Sequence, residues 1–260
     1  MATSSSRPSR TIPGDCWRIG NGSSARSSSR CASDAAPAAE RCGQELFPNP
    51  DARACILQAA RSATAWALVA LYFVSFGGFL ALTAWLPAYW SVYHRLSSTS
   101  AGALAALFSL TASGSRVGGG FIADRIGGKQ ACRIAFLTVI GGSIVMASAS
   151  QVSVSLVAEL AMALGMGCAN AAVFKMVPEY VPDAVGGAAG LVGGLGAFGG
   201  FLLPPMLAAF VELAGVEGYA RGFLTETVLA LAAIIVASRL AIRACSAEQP
   251  RIEDATTQVA

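Results

Sequence analysis

Arg116 is the residue whose type and setting most invite chemistry. It lies within Ser113-Gly114-Ser115-Arg116-Val117-Gly118-Gly119-Gly120, eight residues before Asp124. Small residues on both sides let another helix or a cavity approach it closely. A guanidinium in a dry cavity suits a planar oxyanion, because its fork of donors meets two oxygens at once. The structural alternative is an arginine that caps carbonyls or reaches along its stem to an interface. Lys175, three residues before Pro178, admits the same two readings. Glu159 and Glu226 fall near the ends of apolar stretches, where an interfacial position is expected; a buried carboxylate there could instead relay protons. His94 is the single histidine, and the seven cysteines (16, 31, 42, 55, 132, 168 and 245) form no Cys-x-x-Cys pair. Neither a metal site, a cofactor, a disulfide framework nor a Ser/His/Asp arrangement is expected from this inventory, and so no enzyme.

The elements that hold these groups are written in the composition. Of 260 residues, 54% are hydrophobic and 13% charged, with a mean hydropathy of +0.57. Soluble domains carry about 25% charged residues. Residues 62–243 hold 16 charged side chains, too few to cover a soluble surface of that length. Soluble enzymes, secreted disulfide scaffolds and nucleic-acid binders are thereby excluded, and an integral membrane protein remains. A spanning helix needs about 20 mostly apolar residues. Six such runs occur, at 65–88, 100–123, 133–150, 153–177, 184–210 and 222–242. The fold class expected is all-α, a six-helix membrane bundle.

Loop cations set the expected orientation. Arg53, Arg61, Arg125, Lys129, Arg133, Arg239 and Arg243 fall on one side, Arg95 and Arg221 on the other. That places both termini in the cytoplasm of a cell whose inner or plasma membrane holds the chain. Residues 1–60 carry ten serines within the first 33 positions and seven arginines, without apolar periodicity. They read as a disordered extension, residues 61–244 as the membrane domain and 245–260 as a cytoplasmic tail.

Two further patterns bear on function. Gly186, Gly187, Gly190, Gly193, Gly194, Gly196, Gly199 and Gly200 crowd one apolar run that ends in Pro204-Pro205. Gly194-Leu195-Gly196-Ala197-Phe198-Gly199 formally matches a dinucleotide-binding fingerprint, but that motif must follow a strand in a βαβ unit. Close helix packing by a segment able to bend is the reading that fits. Aromatic residues recur at Tyr72, Phe73, Phe76 and Phe79. Tyr72 and Phe76 share a helix face; that face becomes a ligand clamp if it meets Arg116, and is ordinary packing otherwise.

Gly120-Phe121-Ile122-Ala123-Asp124-Arg125-Ile126-Gly127-Gly128-Lys129 resembles the cytoplasmic signature loop of the major facilitator superfamily. Three stretches resemble its nitrate/nitrite porter branch: Leu71 to Phe79, Ala172 to Tyr180, and the glycine run closing on Gly199-Gly200-Phe201-Leu202-Leu203-Pro204. Their order is similar to the seventh, tenth and eleventh helices of that family, so residues 64–243 resemble the second half of a twelve-helix fold. The resemblance implies alternating-access transport of nitrate or nitrite. Arg116 would pair with the anion and Tyr72 and Phe76 would line its site. Gly190, Gly193, Gly194 and Gly196 would match a glycine-rich nitrate signature, with Asn170 and Lys175 as further contacts. Gly120, Asp124, Arg125, Gly127 and Lys129 would form the cytoplasmic gate. Ala169 and Ala171 stand where the family tends to have glycine. The family places a second arginine and a first glycine signature in the other half, so a complementary half or a second copy of this chain is the expected partner. A truncated or regulatory membrane subunit that does not transport is the alternative.

Overall fold

The computed structural model describes the backbone of residues 52–257 and the side chains of residues 53–240. The extension expected over residues 1–60 lies outside the described residues up to position 51. Its last nine residues differ from expectation, because Ala52–Ala60 forms a helix, α1. Ala59 is fully buried, and the Cys55 carbonyl sits so close to Gly187 that a Cβ there would approach it to 2.3 Å. Packing against a side-chain-free position gives this short helix a partner that composition did not reveal.

Ala63–Tyr93 follows as α2, capped by Ser62, whose hydroxyl accepts the Ala65 amide at 3.4 Å. It is α-helical over Ala63–Tyr72 and Gly78–Ala88 but widens to π geometry over Phe73–Gly77 and Tyr89–Tyr93. The remaining helices are α3 (Ser98–Ile126), α4 (Gly128–Ser148), α5 (Val152–Tyr180), α6 (Val185–Ala197), α7 (Gly199–Ala214), the short α8 (Glu217–Arg221) and α9 (Leu224–Thr257). The helix of α9 continues through position 245, where a separate tail was expected.

Among the described residues, five stretches are long and apolar enough to cross a membrane: Ala63–Tyr93, Gly128–Ser148, Val152–Tyr180, Pro182–Ala214 and Glu217–Leu240. The sixth expected span, α3, is long enough at 29 residues, but serines, glycines and Arg116 dilute its hydropathy. Its buried positions Ala101, Ala105, Phe108, Ala112, Gly119 and Ala123 are spaced by three, four or seven residues, one face of a helix. That face packs on α5, which lies between α3 and α4. Small residues make these contacts intimate, as expected where lipid offers no hydrophobic drive to association. A Cβ on Gly119 would fall 2.6 Å from the Cys168 Cα, and one on Gly165 would fall 2.8 Å from the Ala135 carbonyl. α9 packs on α4 and α2, and α6 and α7 pack on α2.

Candidate anion site

Arg116 and the aromatic face of α2 meet. The guanidinium carbon lies 4.9 Å from the centre of the Phe76 ring and 5.4 Å from that of Phe79. Rings continue the arrangement on both sides. Tyr72 stacks on Phe76 at 5.0 Å and 22°, Phe76 on Phe79 at 6.0 Å and 20°, and Phe79 on Phe108 of α3 at 5.8 Å and 19°. The cation therefore sits over the middle of a row of four aromatic rings, an arrangement worth about 0.5–2 kcal/mol depending on desolvation. Stacked neighbours on α2 follow from their spacing, since residues three and four apart face the same way.

Among the described residues Arg116 has no hydrogen-bond or ion-pair partner, and its Nε is buried. The residue as a whole is half-buried, and a cation partly withdrawn from solvent without a counter-ion is costly. The free donors of its fork and the flat rings beside it are what a planar oxyanion requires: two hydrogen bonds in plane, and apolar faces above and below.

The other expected contacts divide. Phe174 of α5 closes the Tyr72 end of the row, edge to face at 4.9 Å. Asn170 lies one turn before Phe174 on the same face of α5, is 3% exposed, and neither of its amide atoms has a partner. Gly196 is pressed against the Tyr72 ring, where a Cβ would reach its Cδ1 at 2.5 Å, and Gly193 looks toward the Phe174 ring edge, with 3.8 Å to spare for a Cβ. Gly190 and Gly194 instead face open space, with nothing within 4 Å of a Cβ. Lys175 is brought to Asp124: the two form an ion pair that ties α5 to the end of α3.

Asp124 of that pair stands just before the turn from α3 to α4. Gly127 breaks the chain between α3 and α4 at φ +85°, a left-handed conformation that a side chain disfavours. Behind it the Lys129 ammonium lies 4.9 Å from the Tyr180 ring centre at the end of α5. Both basic contacts of this turn thus hold the same end of α5. Nothing lies within 4 Å of a Cβ on Gly120, and Arg125 is exposed.

Glu159 and Glu226 are 1% and 0% exposed, turned into the bundle and away from solvent. Position along a helix gives depth but not azimuth, and both carboxylates turn inward. Glu159 accepts the Trp90 indole N–H at 3.1 Å. His94 closes a polar cluster beyond α2, its Nε2 3.0 Å from the Tyr89 hydroxyl and 3.1 Å from Ser155 Oγ. The rings of Phe108 and Phe174 extend the candidate site beyond the residues that sequence reasoning singled out, although Phe174 stood four residues from Asn170.

Comparison with known proteins agrees with this architecture. Residues 27–204 match the Major Facilitator Superfamily. The chain belongs to that family. A crystal structure of a bacterial homolog to the human lysosomal transporter Spinster, inward-facing and unoccupied, shares the fold with a TM-score of 0.53 at 15% identity, covering 76% of this chain and 51% of that one. A probable nitrate/nitrite antiporter NarK1 of Thermus thermophilus is 35% identical over 172 residues, 59% of this chain and 39% of its own length. The nitrite extrusion protein of Bacillus subtilis (strain 168) is 31% identical over 176 residues, 68% of this chain and 44% of its own. The chain therefore spans about two fifths of the length of these relatives.

Proposed function

We propose that this chain supplies the anion-binding face of one half of a nitrate/nitrite transporter that works by alternating access. The observation that carries the reading is the unpaired Arg116 guanidinium over Phe76 and Phe79. Nitrate and nitrite are small planar oxyanions. Either can take two donors from Arg116 while its flat face lies on the rings of Tyr72 and Phe76, with the free Asn170 amide as a further donor. The names of the relatives from Thermus and Bacillus support this choice of anion. Transporters of this kind hold substrate between two halves. The open glycine edge at Gly190 and Gly194 offers a complementary half, or a second copy of this chain, a place for close approach.

The Asp124–Lys175 pair and the Lys129–Tyr180 contact act as the cytoplasmic latch, breaking and reforming as α3 and α5 part. Both termini face the cytoplasm of a bacterial inner membrane, as the loop cations favour. No covalent step is involved.

The test is nitrate binding by the purified chain in lipid nanodiscs. Weak binding is expected, lost about tenfold or more in Arg116→Ala, since hydrogen bonds to a charged group contribute roughly 1.5–3 kcal/mol. Arg116→Lys keeps the charge but not the fork and should restore little. Undiminished binding by Arg116→Ala would overturn the assignment. Carboxylates or chlorate competing better than nitrate and nitrite would change the anion and keep the site.

A further inference from the structure

Glu226 is fully buried, and among the described residues neither of its carboxylate oxygens has a hydrogen-bond partner. It is packed on α2 so closely that a Cβ on Gly78 would lie 2.8 Å from its Oε2. Gly78 stands midway along Ala63–Tyr93, about 22 Å of helix from either end. The carboxylate is therefore at the depth of the anion site, well below the bundle's outer end. Its neighbour Thr227 shares a 2.7 Å hydrogen bond with Ser143 of α4, which fixes this turn of α9 against the bundle.

Among the described residues no charged group is seen to neutralise it. The described titratable groups on the elements packed against α9 are Tyr72, Tyr89 and Tyr93 on α2 and Lys129, Cys132 and Arg133 on α4; Glu217, Tyr219 and Arg221 lie on the preceding α8, and Arg239 on α9 itself. None of them hydrogen-bonds or ion-pairs with Glu226. Lys129 and Arg133 are 14 and 10 residues from Ser143, about 21 and 15 Å along α4. Glu217, Arg221 and Arg239 are exposed. A carboxylate ion so placed is heavily penalised, whereas the neutral acid is tolerated.

Arg116 and Glu226 grip one turn of α2 from different sides. Arg116 covers Phe76 and Phe79, while Glu226 meets Gly78, about 100° round the α-helix from Phe79. This turn also adjoins the π-helical segment Phe73–Gly77, a geometry that often marks functional sites. We propose that Glu226 is a proton-binding site whose occupancy is linked, across the Phe76–Phe79 turn, to anion binding at Arg116. This rests on the anion-site reading above. The carboxylate takes one proton from water when α9 parts from α2 on one side of the membrane, holds it as the neutral acid while buried, and returns it when the site reopens. An ionised Glu226 repels an anion about one helix diameter away, roughly 10–12 Å. At an effective dielectric near 20 that repulsion corresponds to about a tenfold change in affinity. By linkage, the bound anion raises the proton affinity of Glu226 by the same factor.

The test uses the full chain in lipid nanodiscs, with sodium nitrate as probe. Infrared spectroscopy follows the C=O stretch of protonated carboxyl groups from acid to alkaline pH, and nitrate affinity is measured over the same range. A band should be present that Glu226→Gln removes and Glu159→Gln keeps. Nitrate affinity should fall about tenfold as that band titrates away, and Glu226→Gln should bind nitrate without this pH dependence. If Glu226→Gln does not assemble, Glu226→Asp must shift the titration midpoint of the band. Absence of any band from Glu226, or the same pH dependence in wild type and Glu226→Gln, would overturn the proposal. Nitrate binding absent at every pH while the Glu226 band titrates normally would locate the failure in the anion site and remove the linkage with it.

Discussion

Gly77→Ala tests whether the bundle is assembled around α2 as described. A methyl at Gly77 would stand 2.6 Å from the Gly199 Cα and 2.9 Å from the Gly196 carbonyl oxygen, both backbone atoms that cannot swing aside. Ordinary carbon contacts lie at about 3.5–4.0 Å, so α7 must retreat by about 1 Å. Overpacking of this kind costs about 1–3 kcal/mol, and the better helix propensity of alanine returns at most about 1. The net expectation is a loss of about 1–2 kcal/mol. Gly194→Ala gives the opposite sign, because nothing lies within 4 Å of its added methyl. In the chain alone it should gain up to about 1 kcal/mol. Thermal stability in nanodiscs, read by the fraction remaining monodisperse after heating, measures both. Gly77→Ala as stable as wild type, or Gly194→Ala as damaged as Gly77→Ala, would refute the packing described.

Other expectations are more local. Asp124 is 68% exposed, so breaking its pair with Lys175 by Asp124→Asn should change stability by less than about 1 kcal/mol. Its effect should appear in transport by the assembled porter, and exchanging the two charges should recover part of the loss. Burial holds the His94 imidazole below its ordinary value of 6.5. The unfolded chain then takes up the proton first, so stability is intact above that value and falls as pH drops through it. Acid melts of wild type against His94→Gln should show that slope removed in the variant. Arg95 adopts φ +55° just after α2, a conformation glycine tolerates better. Arg95→Gly should leave the melt unchanged or raise stability by up to about 1 kcal/mol, and Arg95→Val should lower it by a similar amount.

Much of this arrangement was legible in the residues. Long apolar runs gave the membrane bundle because twenty apolar residues have few other uses. Arg116 announced itself by charge in a setting of small residues, and Tyr72 and Phe76 by their spacing of four. Their meeting was not legible, since it depends on how α3 docks on α2. The inward turn of Glu159 and Glu226 was hidden for the same reason: burial depends on which way each helix face turns in the bundle. The pairing of Lys175 with Asp124 was not legible, because the two lie 51 residues apart. The glycine run read as one surface. In the fold it has two, with Gly187, Gly196 and Gly199 pressed into neighbours and Gly190 and Gly194 open. Nothing in Phe73-Val74-Ser75-Phe76-Gly77 signalled a π turn, and the helix at Ala52–Ala60 was lost in the biased composition before it.

The most direct test of the central claim is nitrate uptake by cells that lack their own porters. They would express this chain alone, with a complementary first half from a relative, and with that half plus Arg116→Ala. Uptake that needs the added half and disappears with Arg116→Ala is the predicted result. No uptake in any pairing, from protein shown to reach the membrane, would contradict it.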